Sequence, residues 1–443
     1  MKSRRRVYVK TFSLEEAHER WASFINNLSP SIEIIPTRDA LGRITSEAVF
    51  ALRSNPMYNV AAMDGFCVRF RDTIGASETS PKRLKLGTEA IEINTGDVLP
   101  EGFDAVVMVE DVTVEPEHIV IYSALAPYAN VRAAGEDIVK TEFLVPERHL
   151  IRPQDIGALL AAGVTKVSVF KKPVVGIIPT GSEVIDPEQE VGPGNVIDFN
   201  SYMLGSMIKD WGGVYKRYPV VPDDVDKLMK TIERTLVEVD VLTIIAGSSA
   251  GTKDFTHHVV EKMGEVFVHG VNIKPGRPVL LGQIKGKPVL GIPGYPVSAW
   301  VAAEEFLRPL VYKLQSLDTP EPEYANIHLA RPLTGALGQR EYVRVKIGYI
   351  KDKLVGIPLQ RGAGLISSLH RADGIVVIPE NMEGIAQGTE VQAKLLRTLK
   401  DIKNNLICVG SHDLTLDLLA EFLKKRTGHY SVSSSHIGSM GGI

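Results

Sequence analysis

Two carboxylates and two cations stand out by where they fall in the chain. Glu183 closes the loop Pro179 to Glu183, PTGSE, directly after the run Val174, Val175, Gly176, Ile177, Ile178. A short apolar run of this kind suits a strand buried on both faces of a parallel sheet. Asp254 closes the loop Gly247 to Asp254, GSSAGTKD, after a second apolar run, Val241 to Ala246. One hard carboxylate at each of two strand ends suits Mg²⁺ held together with substrate phosphates. Taken singly, each acid reads equally well as a helix N-cap or first-turn residue. Lys274 and Arg277 bracket Pro275 and Gly276, so two cations project from a stiff turn. Fixed positive charge with hydrogen-bond donors is what an oxyanion requires.

A third apolar run, Val289 to Pro293, ends in Gly294-Tyr295-Pro296-Val297-Ser298, and Ala299 to Leu314 reads as the helix that follows. Ser298 places a hydroxyl at that helix start. In open α/β sheets, ligands bind at the carboxyl edge, where helix N-termini and free N–H groups converge. Thr180, Gly181, Ser182, Gly247, Ser248, Ser249, Pro293 and Gly294 would then line one cradle for an anionic ligand. The alternative is a set of ordinary tight turns in a doubly wound fold. The pair His257-His258 resembles a metal pair, but neighbours on a helix diverge by about 100°, and both read as structural.

The elements that must position these residues need more than one domain. At 443 residues the chain exceeds a usual domain of roughly 100–200 residues. Hydrophobic residues at 44% and charged residues at 23% argue for neither disorder nor a membrane class. A net charge of −3 leaves no electrostatic footprint for nucleic acid. The basic run Lys2 to Arg6 lacks an apolar region after it and is no secretory signal. Cys67 and Cys408 are the only cysteines and lie far apart, against a disulfide framework. No apolar stretch approaches the roughly 20 residues that span a bilayer, and a cytoplasmic protein without membrane or nucleic-acid partners is expected.

Ser13 to Glu16 is a capping box ahead of a helix bearing Ala17, Trp21, Phe24 and Leu28. Residues 32–50 predict short strands, and Phe66 to Phe70, Ile91 to Asn94, Ala105 to Val109 and His118 to Tyr122 predict a β-rich unit. A helix over Asp155 to Ala162 and a strand at Lys166 to Phe170 are expected to pack back on the N-terminal helix. The α/β core follows, with helices at Tyr202 to Trp211 and Asp224 to Val237. Pro320 and Pro322 mark a linker into a further β unit containing Glu341 to Ile347 and Gly374 to Pro379. Asn405 to Gly410, Leu414 to Lys425 and Tyr430 to Ser434 read as strand, helix and strand. A β-α-β start cannot bury its own faces, so the tail is expected to be a truncated further domain.

Six motifs in order carry a resemblance: AAMDGF (Ala61 to Phe66), INTGDVLPEGFDAVV (Ile93 to Val107), GED (Gly135 to Asp137), PTGSE, KPGRP (Lys274 to Pro278) and PGYPVSA (Pro293 to Ala299). Over roughly residues 10–398 the chain resembles the MoeA and gephyrin E-domain family, the molybdopterin molybdenumtransferases. The resemblance implies a multidomain α/β plus β protein. Its parts would be a discontinuous linker domain (1–50 and 140–172), a β-rich domain (51–139), a MogA-like three-layer α/β molybdopterin-binding domain (173–318) and a C-terminal β domain (319–399). Residues 400–443 resemble the opening of a periplasmic-binding-protein-like domain. The implied reaction inserts molybdate into adenylated molybdopterin and releases AMP with Mg²⁺, downstream of a molybdopterin adenylyltransferase. A homodimer with shared sites is also implied.

By the same resemblance Glu183 and Asp254 hold the metal, and Lys274, Arg277 and Ser298 bind the oxyanion. Arg344 and Ser367 complete the pocket, and Asp64 and Thr95 act at the partner subunit's site. By residue type alone, Arg344 is a strand arginine and Met63-Asp64-Gly65 a good turn. The sequence departs from the family pattern at Ser182, where Asp is usual, at GSSAGTKD, and at Tyr295, where Asn is common. A non-catalytic molybdopterin or oxyanion sensor is the alternative function.

Overall fold

The computed structural model describes residues 11–246, 255–411, 413–428 and 430–436. Two compact units divide the chain: Ser31–Lys171, and Met1–Pro30 with Lys172–Ile443.

The second of these units is built on a six-stranded sheet in the order Val214–Arg217, Val174–Pro179, Val241–Ala246, Lys287–Pro293, Leu280–Ile284, Glu265–His269. The first four strands are mutually parallel, and the last two add an antiparallel edge. Strand alternation divides the apolar residues between two covered faces. Val175, Ile177, Ile245, Leu290 and Ile292 pack with Leu204, Ile208, Phe306 and Leu310 on one side. Ile178, Leu242, Ile244 and Val289 pack with Leu228, Ile232, Val259 and Val260 on the other. The result is a three-layer α/β core whose three expected strands end at one carboxyl edge. Helix Pro296–Ala302 continues through a π turn, Ala303–Leu307, into Arg308–Lys313. The single helix expected over this region is therefore interrupted.

A closed barrel follows in the same unit. Arg340–Ile350 pairs with both Lys353–Pro358 and Gly374–Ile378, and Tyr324–Leu329 and Glu390–Leu395 complete the ring. Val343, Val345, Ile347, Val376, Ile378 and Ile327 fill its interior.

Helix Leu14–Ile25 begins as its sequence predicts, with the Glu16 N–H donating to Ser13 Oγ at 3.0 Å. The sequence reading paired this helix with residues 148–170; its apolar face is buried within its own unit. Leu14, Ala17, Trp21 and Ile25 belong to the α/β core beside Val268 and Phe306, and the Trp21 Nε1–H donates to the Phe306 carbonyl at 3.1 Å. The residues just before it are tied in by backbone: Phe12 N–H donates to Gly270 O, and Asn272 N–H to Phe12 O. The periodicity that forms an amphipathic helix says that a face is buried and is silent about the partner.

Within Ser31–Lys171, the Lys166–Phe170 strand pairs antiparallel with Ile32–Pro36. Gly65–Val68 lies between Ala90–Ile93 and Ala105–Met108, and His118–Ile121 lies between Lys82–Lys85 and Val112–Val114. Helix Pro153–Ala161 is closed at its start by the Asp155 carboxylate, which accepts the Arg152 N–H at 2.8 Å. In the tail, Asn405–Gly410 and Ser431–His436 pair in parallel around helix Leu414–Thr427. No helix among the described residues is long and apolar enough to cross a membrane.

Trp21 is nearly inaccessible and fastens its helix by both packing and a hydrogen bond. Trp21→Ala is expected to cost about 3–5 kcal/mol, measured as a lowered urea midpoint followed by far-ultraviolet circular dichroism.

Candidate active site

Ile273–Lys274 is a two-residue strand that leaves the α/β core and pairs in parallel with Arg340 and Glu341 of the barrel. Behind that seam lies a cavity of about 580 Å³. Among its described lining residues are four cations, Lys274, Arg277, Arg344 and Arg361, and one carboxylate, Glu341. Pro293, Tyr295 and Ser298 face it from the third strand end and the helix after it.

The turn that carries Lys274 and Arg277 is fixed by backbone. Val271 N–H donates to Arg277 O at 2.9 Å and Val279 N–H to Gly276 O at 3.2 Å. Gly276 has φ +120°, and a Cβ there would stand 2.9 Å from Ile273 Cδ1, so the turn requires glycine. Lys274 Nζ meets Glu341 Oε1 at 3.0 Å, and Arg361 Nη1 meets Glu341 Oε2 at 3.3 Å. Glu341 is only 3% exposed. Register places Lys274 beside Glu341, so strand pairing decides this contact.

Arg344 is buried on the same barrel strand and lines the cavity. Its Nε donates to Ser368 Oγ at 3.1 Å, and its Nη2 to the carbonyls of Gln360 and Gly362 at 3.2 and 3.1 Å. These partners are neutral, and no described acid pairs with it. Burial first, and then the nearby Arg361 charge, press its pKa below the usual arginine value. An anion in the cavity would relieve both effects. Ser367, the serine expected to complete this pocket, is exposed on the helix Ile366–Arg371. The buried hydroxyl that holds the arginine belongs to its neighbour Ser368, which also donates to Leu365 O at 2.7 Å. On a helix, adjacent side chains point about 100° apart, and only one of the two can face inward.

The loop after Val174–Pro179 is held on both sides. Thr180 Oγ1 donates to Ile245 O at 2.9 Å, joining two strand ends. Gly181 has φ +135°, a conformation that favours glycine. Its N–H donates to Val221 O. Ser182, where the family pattern has Asp, accepts the Asp223 N–H through Oγ at 3.2 Å. Glu183 is exposed, with its carboxylate lying over Gly181 and no ion pair among the described residues. Such an unshared carboxylate at a strand end fits a hard divalent cation that takes its remaining ligands from phosphates and water. No described group of three or more acids, histidines or cysteines forms a closed metal cage. Gly294 accepts a hydrogen bond from Asn200 Nδ2 through its carbonyl. Gly247, Ser248, Ser249 and Asp254 lie outside the described residues. His257 stacks on His269 with ring centroids 4.3 Å apart.

Asp64 and Thr95 lie in the Ser31–Lys171 unit, and the fold brings them together. The Thr95 N–H donates to Asp64 Oδ1 at 2.6 Å. Backbone approach makes the turn: a Cβ on Gly65 would stand 2.0 Å from the Val107 carbonyl oxygen. The hydrogen bond from the Thr95 backbone, then one from its side chain, lower the Asp64 pKa.

Sequence reasoning missed Glu341, Arg361 and Ser368. Glu341 and Arg344 carry a legible signal, since charges interrupt the apolar strand EYVRVKI. Arg361 stands alone before a glycine loop and gives none.

A three-layer α/β core joined by a short strand to a cation-lined barrel defines a multidomain α/β plus β fold class. Three family models cover the chain in sequence: "MoeA N-terminal region (domain I and II)" at residues 12–163, "Probable molybdopterin binding domain" at 176–313 and "MoeA C-terminal region (domain IV)" at 326–396. A Methanocaldococcus jannaschii protein named for molybdopterin biosynthesis is 37% identical over 374 residues, 81% of this chain and 91% of that protein. The molybdopterin molybdenumtransferase 2 of Mycobacterium tuberculosis is 28% identical over 382 residues, 81% of this chain and 93% of its own. The crystal structure of a molybdopterin biosynthesis MoeA protein from Pyrococcus horikoshii superimposes with TM-score 0.69 at 35% identity, over 88% of this chain and 100% of that one. The chain belongs to the MoeA family.

Because its hydrogen bonds favour the charged form, the Asp64 carboxylate should stay ionised below its ordinary range. A carbon-detected NMR titration of Asp64 is expected to give a midpoint below that of an ordinary aspartate, and Thr95→Pro, which removes the N–H, should move it upward.

Proposed function

We propose that this chain is a transferase of molybdenum cofactor biosynthesis that inserts molybdate into adenylated molybdopterin and releases AMP. The observation that carries this reading is the cavity between core and barrel, where Lys274, Arg277, Arg344 and Arg361 face one space. Family membership supplies the substrate class. A dianionic, tetrahedral oxyanion suits this lining because fixed cations in a partly enclosed site stabilise it with little reorganisation. Ser298 adds a buried hydroxyl, and Ser368 keeps the Arg344 guanidinium in place. Thr180, Gly181 and Ser182 shape the loop that would seat the substrate phosphates, and Gly247, Ser248 and Ser249 belong to the same proposed cradle, with Pro293 and Gly294.

Glu183 and Asp254 would hold Mg²⁺ with those phosphates. Bound there, the ion would neutralise charge on the phosphoanhydride that releases AMP. We further assign Asp64 and Thr95 to the site of a partner subunit in a homodimer. The substrate would come from a molybdopterin adenylyltransferase, and the reaction would run in the cytoplasm.

Charge-assisted hydrogen bonds are worth about 1.5–3 kcal/mol each. Arg344→Ala is therefore expected to weaken molybdate use roughly 10- to 150-fold, with partial recovery at high molybdate. A defect that molybdate concentration does not move would remove Arg344 from the oxyanion site.

The shared-site assignment has its own test. Asp64→Ala and Glu183→Ala subunits, each inactive alone, should regain AMP release when mixed, because one heterodimer site keeps both residues intact. If differentially tagged subunits exchange and activity stays absent, the two residues serve sites within single chains.

A further inference from the structure

Glu341 is the one acid among the described residues that line the cavity, and its position conflicts with simple anion binding. It lies within hydrogen-bonding distance of two of the four cations: Lys274 at 3.0 Å and Arg361 at 3.3 Å. A carboxylate repels the oxyanion those cations would attract. It is also buried to 3% exposure, in a place where an unpaired charge would be costly.

We propose that Glu341 is the cavity's resident counter-ion: it occupies Lys274 and Arg361 as an oxyanion would, and thereby sets how tightly, and which, oxyanions bind. This rests on reading the cavity as an oxyanion site. Two features separate it from an ordinary surface ion pair. The carboxylate cannot withdraw, because its backbone is paired with Lys274 on one side and Ile378 on the other. Its two partners differ in freedom. Arg361 Nη1 also donates to the Thr334 carbonyl and stays anchored, whereas the Lys274 side chain is half exposed and can swing on its flexible stem. An arriving oxyanion must therefore compete with a fixed monoanion for Lys274 while receiving Arg344 without contest from any described acid.

Competition of this kind selects by charge. A dianion such as molybdate gains about twice the Coulomb attraction of a monoanion from the same cations, so it can displace the Lys274 contact where nitrate or chloride cannot. The carboxylate lowers affinity for every anion, and because its repulsion scales with the anion's charge, removing it raises the affinity of a dianion by the larger factor.

The test is equilibrium binding of molybdate and of nitrate to the full chain by calorimetry, with native fold confirmed by circular dichroism. Glu341→Gln keeps shape and hydrogen bonding and removes the charge. It is expected to bind molybdate about 10-fold more tightly, with a steeper salt dependence, and to gain measurable nitrate binding. Glu341→Asp keeps the charge but draws it back by one methylene, and a smaller tightening is expected. The shorter variant decides the question alone if the glutamine variant does not fold. Wild-type binding with neither variant tighter overturns the counter-ion role and leaves the oxyanion reading standing. Absence of molybdate binding in all three proteins overturns that reading, and the counter-ion role with it.

Discussion

Two residues of parallel backbone pairing, Ile273 and Lys274 against Arg340 and Glu341, hold the candidate site together. Neither the α/β core nor the barrel has a complete cavity by itself. The core brings the turn with Lys274 and Arg277 and the helix start at Ser298; the barrel brings Glu341, Arg344 and Arg361. Backbone pairing fixes relative position far better than side-chain contact, because register is discrete. The pairing also explains why a buried acid is tolerated there, since it sets Lys274 alongside Glu341.

A second tie supports the first. The Tyr342 hydroxyl donates to Glu305 at 2.9 Å, and Glu305 sits in the π turn Ala303–Leu307. The widened turn re-aims side chains relative to a regular helix, and here Glu304, in the same turn, meets Lys394 of the barrel at 2.6 Å. Barrel and core are thus joined by strand pairing at Arg340 and Glu341 and by an ion pair and a phenol.

How much of this was legible depended on whether local pattern or distant partners decide the outcome. Val174 to Ile178 and Val241 to Ala246 announced themselves because strands buried on both faces must be continuously apolar. The Ser13 cap was readable because capping is local. The antiparallel edge, Glu265–His269 and Leu280–Ile284, was not read. Val266 and Val268 alternate weakly, and the Lys285-Gly286 turn between the later strands is short. Helix Leu14–Ile25 was found and its partner was not. At the site, Lys274 and Arg277 were found because Pro and Gly between them mark a rigid turn. Ser367 was named by resemblance alone, and the burial of its neighbour Ser368 could not be read, because a residue's inward or outward direction on a one-turn helix depends on tertiary placement. Arg361 depends wholly on the partner it meets.

The strand Arg340–Ile350 serves the core, both barrel neighbours and the cavity at once. Its alternation sends Val343, Val345 and Ile347 into the barrel and leaves Arg344 and Lys346 between them. A shift of one residue would exchange an arginine for a valine in the barrel interior. The hairpin that ends this strand, Lys351-Asp352, has positive φ at both positions and is exposed, free of the barrel's packing. In an evolving lineage, chain length should therefore drift at 351–352, where a turn can absorb an extra residue, and stay frozen from 340 to 347. Insertions sampled across that boundary would trace where architecture stops dictating sequence length.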